Sequence, residues 1–250
     1  MINHFIKEST IDFPGHIGPV IFTAGCNFNC GFCHNALLNK VNERYDEEKL
    51  VKEIEQQTKR GWYTGVCITG GEPLIYGERI EKLMQRFRSI GLKVKLDTNG
   101  SSPKLLKELI AKKLVDYVAM DIKSSKELYE TIIDTKILFE DLEESISFLA
   151  SLGKDKFEFR TTIPIIFEQN KPRFLNEKEA EKMGQWMLSL TKTKKFKWIL
   201  QAFISRSKEE INDERMSLES LEEEMQETPK EHLEKLKQVL NKYCDFVEIR

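Results

Sequence analysis

Six short apolar runs, separated by longer amphipathic stretches, constrain this chain more than any other feature. Residues 18–23, 65–69, 93–97, 117–122, 157–163 and 197–203 have the length and apolar density of strands. Between them, 46–59, 78–90, 105–113, 143–152 and 177–190 read as helices. The clearest is the second, with Ile80, Leu83, Met84 and Phe87 at three- and four-residue spacing. Pro103 marks a helix start, with Ser101 or Ser102 available as its cap. Strands that alternate with helices make a parallel sheet joined by right-handed crossovers. Six such units are too few for a closed eight-stranded barrel, so the expected fold is an α/β, open and partial (β/α)6 TIM-like barrel. Residues 229–243 form one further helical pattern, with Leu233, Leu236, Val239 and Leu240 on one face, and 245–249 a last strand.

No linker divides the 250 residues, so one domain is expected, with a core at about 9–204 and a charged, helical extension at about 205–250. Within the extension, 207–228 is rich in Glu and Lys and reads as a solvated loop and helix face; the sharper alternative is a segment that docks a partner. With 39 basic and 41 acidic residues, net −2, the chain lacks the positive field that holds a nucleic-acid backbone. No run approaches the ~20 apolar residues of a membrane span, and the first residues lack a signal pattern; the expected location is the cytoplasm.

Cys26, Cys30 and Cys33 fall within eight residues, directly after the first of the six runs. The carboxyl end of a strand is where parallel α/β folds build their sites. Three thiolates in a glycine-containing loop are soft ligands suited to an iron–sulfur cluster, with one iron left open. The rival is a closed zinc site completed by His34 or Cys67. An odd cysteine count excludes a complete disulfide framework, and Cys67 and Cys244 read as buried apolar residues. A second element, Thr69-Gly70-Gly71-Glu72-Pro73, ends the second run. Its glycines allow close backbone approach to a ligand, and Glu72 supplies an anion.

The Cys-x-x-x-Cys-x-x-Cys loop, with Phe32 before its third cysteine and the Gly-Gly-Glu element following in order, resembles the radical S-adenosylmethionine (SAM) superfamily. Asp12-Phe13-Pro14-Gly15, Cys33-His34-Asn35, Asp97-Thr98-Asn99-Gly100, Met120-Asp121-Ile122-Lys123 and Arg160 are similar to the activases of glycyl-radical enzymes. The Phe13 form is most like the activating protein of anaerobic ribonucleoside-triphosphate reductase.

The resemblance implies that Cys26, Cys30 and Cys33 ligate a [4Fe–4S] cluster whose fourth iron takes the amino and carboxylate groups of SAM. Phe32, Gly70, Gly71 and Glu72 would contact the cofactor, Glu72 through the methionine ammonium. Asp97, Thr98, Asp121 and the backbone near Met120 match positions that bind a monovalent cation. Lys123 and Arg160 match further cofactor contacts. Taken alone, 97–100 would be an Asn-Gly turn, and Lys123 and Arg160 rim charges. A histidine that some activases carry near the end of the sixth strand is missing; Gln201 stands there as a substitute. The implied activity is reductive cleavage of SAM and abstraction of hydrogen from a glycine of a large partner enzyme, with flavodoxin or ferredoxin as reductant, in an anaerobic setting. The alternatives are radical chemistry on another glycyl-radical enzyme, a peptide or a small molecule, and, more remotely, a non-catalytic metal-stabilised binding module.

Overall fold

A computed structural model describes residues 1–40 and 45–250. Backbone contacts gather them into two compact units, Met1–Asn27 with Leu38–Ala119, and Phe28–Leu37 with Met120–Arg250.

The first unit opens with β1 (Ile2–Ser9), which runs antiparallel to β2 (Gly18–Thr23). After α1 (Leu37–Lys40) and α2 (Glu47–Lys59) come β3 (Gly65–Gly70), α3 (Glu78–Ser89), β4 (Lys93–Thr98) and α4 (Pro103–Ala111). β2, β3 and β4 are mutually parallel, with Val20 opposite Cys67 and Cys67 opposite Lys95. Helix α2 starts where Asp46 accepts from the Glu48 and Lys49 amides, and it buries Leu50, Val51 and Ile54. Ser102 caps α4 by position but makes no side-chain capping bond.

β5 (Tyr117–Asp121) carries the chain into the second unit: the Asp116 amide before it bonds to the Val94 carbonyl, and the Ile122 amide after it to Arg160. There follow α5 (Tyr129–Ile133), α6 (Phe139–Ser151), β6 (Phe157–Thr162), a two-stranded hairpin of β7 (Ile165–Glu168) and β8 (Lys171–Phe174), α7 (Glu177–Thr191), β9 (Lys197–Gln201), α8 (Lys230–Leu240) and β10 (Phe246–Ile249). β6, β9 and β10 are parallel neighbours. Phe157, Phe159, Phe196 and Trp198 fill this core and are at most 1% exposed. Helix α7 begins with a capping box in which Asn176 and Glu179 satisfy each other's amides.

The six expected strands are thus β2, β3, β4, β5, β6 and β9, mostly parallel, as an open, partial α/β barrel requires. Several elements were not anticipated: the antiparallel strand ahead of them, the short helices α1 and α5, and the β7–β8 hairpin. The 207–228 stretch differs from expectation as well. It contains two 3-10 turns and no α-helix, and Ile211, Met216 and Leu221 within it are buried. No helix among the described residues is long and apolar enough to cross a membrane.

Candidate functional site

In the first unit the ends of β2 and β3 are tied together by backbone. Gly71 N bonds to Thr23 O at 3.0 Å and Glu72 N to Gly25 O at 2.9 Å. A Cβ on Gly71 would stand 1.7 Å from Gly25 O, and one on Gly70, at φ +126°, 2.2 Å from Thr23 N. The backbone that these glycines admit is therefore the chain's own, at the residues that lead into the cysteine loop.

Glu72 is fully buried. Its Oε1 accepts from Leu74 N at 3.0 Å and from the Thr98 hydroxyl at 2.8 Å, and its Oε2 from Asn99 N at 2.6 Å. It thereby starts the 3-10 turn at Pro73–Tyr76 and locks the end of β4. Residues 97–100 are both a turn and part of this constellation: Gly100 takes φ +78° and donates to Thr98 Oγ1, while Asn99 turns inward. Asn99 Nδ2 donates to Asn27 Oδ1 at 2.8 Å and lies 3.9 Å from Cys26 Sγ. Asp97 Oδ1 pairs with Lys95 Nζ, and Cys67 Sγ is 3.8 Å from each. Cys67 is buried as expected, but against an ion pair rather than a wholly apolar wall.

In the second unit, Cys30 and Cys33 belong to one turn, in which Cys33 N donates to Cys30 O at 3.2 Å. The Asn212 side chain donates to the same carbonyl at 3.0 Å, and Asp213 N to Gly31 O at 3.2 Å. Gly31 is a glycine because this segment packs on it; a Cβ there would meet Asp213 Cβ at 2.9 Å and Met216 Cε at 3.2 Å. Burial raises the Cys33 thiol above its ordinary value, and it lowers His34, whose ring bonds to the Ile204 backbone and stacks near Phe203.

Asp121 accepts from Lys123 Nζ at 2.8 Å and from Arg160 Nε at 3.1 Å. Burial alone would raise its carboxyl, but the two cations outweigh that and hold it at about 2. Lys123 is driven upward by the same pairing against its own desolvation, and its Nζ stands 6.0 Å from the centre of the buried Phe32 ring. Gln201 ends β9, where its carbonyl accepts from Ile163 N. Cys244 is remote in role: it is buried, donates to Phe196 O, and is pushed up to about 12 by desolvation.

All five cysteines are free thiols, and among the described residues no three His, Cys, Asp or Glu side chains are drawn together tightly enough to hold a metal ion. Three residues at these strand ends escaped the sequence reading. Lys95 was legible by period, two positions before Asp97 on one face of β4. Asn99 was placed in the 97–100 motif but given no role of its own. Asn212 lies 182 positions from its partner and gave no local signal.

The profile of the Radical SAM superfamily matches residues 20–176. A putative glycyl-radical enzyme activating enzyme of Methanocaldococcus jannaschii is 29% identical over 188 residues, covering 74% of this chain and 74% of that protein. The 7-carboxy-7-deazaguanine synthase of Clostridium acetobutylicum is 29% identical over 163 residues, 65% of this chain and 71% of that one. Streptococcus suis SuiB bound to the precursor peptide SuiA is alike in fold, with TM-score 0.62 and 14% identity over 92% of this chain and 47% of that structure. Because the superfamily match runs through well over half of the 250 residues and spans both the cysteine loop and the Gly-Gly-Glu strand end, the chain belongs to the radical SAM superfamily.

Proposed function

We propose that this radical SAM enzyme is an activase that takes hydrogen from a glycine of a large partner enzyme, and that the partner is an anaerobic ribonucleoside-triphosphate reductase. The carrying observation is the similarity to the M. jannaschii activating enzyme, extending over 74% of both chains. The superfamily's cofactors are a [4Fe–4S] cluster and SAM, and the donor set suits them: three soft thiols in one loop, with no fourth cysteine in it. When bound, the cluster supplies one electron that splits SAM into methionine and a 5′-deoxyadenosyl radical.

The protein's part is to hold and to orient. Cys26, Cys30 and Cys33 are the proposed iron ligands. Asn99 reaches the Cys26 sulfur from the β4 turn, and Asn212 pins the Cys30 carbonyl. Gly70, Gly71 and Glu72 hold the end of β3 where the methionine ammonium is to be received, Glu72 by fixing Thr98 and Asn99 as well as by its charge. Phe32 offers a buried ring beside Lys123, and Lys123 with Arg160 offers positive charge to a carboxylate. Flavodoxin or ferredoxin is the proposed electron donor.

The choice of ribonucleotide reductase rests on 12–15, and those residues sit at the other strand end. Phe13 is buried against Gly65, the first residue of β3, with its ring 4.4 Å from that of His16. The similarity to 7-carboxy-7-deazaguanine synthase supports a second reading, radical chemistry on a small molecule. One experiment separates them. The reconstituted enzyme is incubated with reductant, SAM and a reductase carrying α-deuterated glycine. Deuterium in 5′-deoxyadenosine and a glycine-centred doublet in electron paramagnetic resonance support the proposal. A doublet only on a different glycyl-radical enzyme corrects the partner, and cofactor cleavage with no radical on any protein favours the second reading.

A further inference from the structure

The monovalent cation that the resemblance implies does not fit the residues meant to hold it. Asp97 and Lys95 lie two apart in β4 and so share one face. Lys95 is 2% exposed and Asp97 8%, between Val94 and Leu96, which are wholly buried. An interior strand position is a costly place for an ammonium group unless an anion meets it there, and Asp97 does. Cys67, directly opposite Lys95 in the β3–β4 register, brings a polarisable sulfur to 3.8 Å from both charges. Thr98 has its hydroxyl committed twice, donating to Glu72 and accepting from Gly100. In the second unit Asp121 is matched by two cations, Lys123 and Arg160. Each carboxylate assigned to the ion is therefore already compensated within its own unit. A metal ion placed on Asp97 would face a buried ammonium of like charge.

We propose that the Lys95 side chain permanently supplies the positive charge that a bound sodium or potassium ion would bring to Asp97, so that this enzyme takes up SAM with no requirement for a monovalent metal. The inference deepens the proposed function and rests on its reading that SAM is received at the strand end fixed by Glu72, Thr98 and Asn99, next to Asp97 in β4. A tethered ammonium differs from a diffusible ion in two ways: its occupancy is independent of the salt around the protein, and its position is set by the β4 backbone.

The test compares SAM affinity of the reconstituted protein in sodium, potassium and tetramethylammonium chloride at equal ionic strength; tetramethylammonium is too large to enter a carboxylate site. The wild type is expected to bind equally in all three, within about twofold. Lys95→Met is expected to lose about tenfold in tetramethylammonium, the scale of one charge-assisted contact, and to regain affinity when sodium or potassium is added. That rescue by a small cation is something a purely structural lysine would not produce. The double variant Lys95→Met/Asp97→Asn removes both charges at similar volume, and it is expected to fold and to remain indifferent to the salt. Wild-type binding that weakens fivefold or more in tetramethylammonium overturns the proposal without needing any variant. So does a Lys95→Met protein that binds like wild type in every salt. A wild type that carries its cluster yet binds SAM in none of the three overturns the functional reading itself, and the proposal with it.

Discussion

Glu72 and Asp121 are both acidic side chains held at strand ends, one in each unit, and they are held in opposite ways. Glu72 is fully buried and is met by two backbone amides and a hydroxyl. Asp121 has a side chain 28% exposed and is met by an ammonium and a guanidinium. Neutral donors act over short range and in fixed directions, so three of them set the geometry of whatever they are attached to. Charges act over longer range and tolerate displacement. The first arrangement builds a shape, tying β3, the turn after it and β4 together. The second builds a potential, with two cations meeting one carboxylate. Asp97 stands between the two cases, as buried as a geometric anchor yet paired with a charge.

The contrast is most easily broken at Glu72. Its replacement by Ala strands three donors, at about 1–3 kcal/mol each, so Glu72→Ala is expected to lower the unfolding free energy by at least about 3 kcal/mol in urea titration. A loss under about 1 kcal/mol would mean that the latch is ornamental. At Asp121 a smaller effect is expected, about 2 kcal/mol for Asp121→Asn at neutral pH, because partial exposure softens the cost of the two cations left behind. This effect should depend on pH with a defined sign. The folded carboxyl, at about 2, lies below its ordinary 3.8, so its contribution is complete above that ordinary value and is lost as pH falls toward 2. Wild type and Asp121→Asn should therefore converge in acid, and curves that stay parallel down to pH 2 would remove the ion pairing from the account. Thr98→Val sharpens the comparison from the neutral side: one hydroxyl is lost with both its bonds, to Glu72 and from Gly100, about 1–2 kcal/mol, with no change in pH profile. The smallest stability change, roughly 0.5–1 kcal/mol, is expected for Asn212→Ala, whose signature is instead faster loss of iron from the reconstituted protein to a chelator.

The sequence exposed the parts of this fold in which burial and periodicity agree. The six expected strands are buried runs, and α3 shows its inward face at Ile80, Leu83, Met84 and Phe87. β1 was hidden because its residues after Asn3 are mostly half-exposed or exposed; His4, Lys7 and Glu8 do not look like a core strand. The β7–β8 hairpin was hidden by its turn. Gln169 and Asn170 both take positive φ, +51° and +64°, as a tight two-residue hairpin loop needs, yet Gln-Asn carries none of the usual Asn-Gly signal. At the site, the cysteine loop and the Gly-Gly-Glu element were legible because their residue types are rare and closely spaced. The partners that hold them were not. Lys95 shares a face with Asp97 by period, but its residue type gives no sign of burial, and Asn212 sat in a charged stretch whose composition spoke of solvent, while Ile211 and Met216 anchor that stretch in the second unit. Composition reports the average surroundings of a segment, and one amide aimed at one carbonyl does not alter it.

The bond from Asn212 to Cys30 also imposes an order on manufacture. Cys30 leaves the ribosome first, whereas the amide that steadies its carbonyl follows 182 positions later. Throughout that interval the loop is present without its brace, and any metal loaded early would be carried by a tether that is still loose. A chain interrupted before Asn212 would keep its whole cysteine motif and lack the bond that pins the Cys30 carbonyl. In this protein the segment around Asn212 completes what the cysteine loop began.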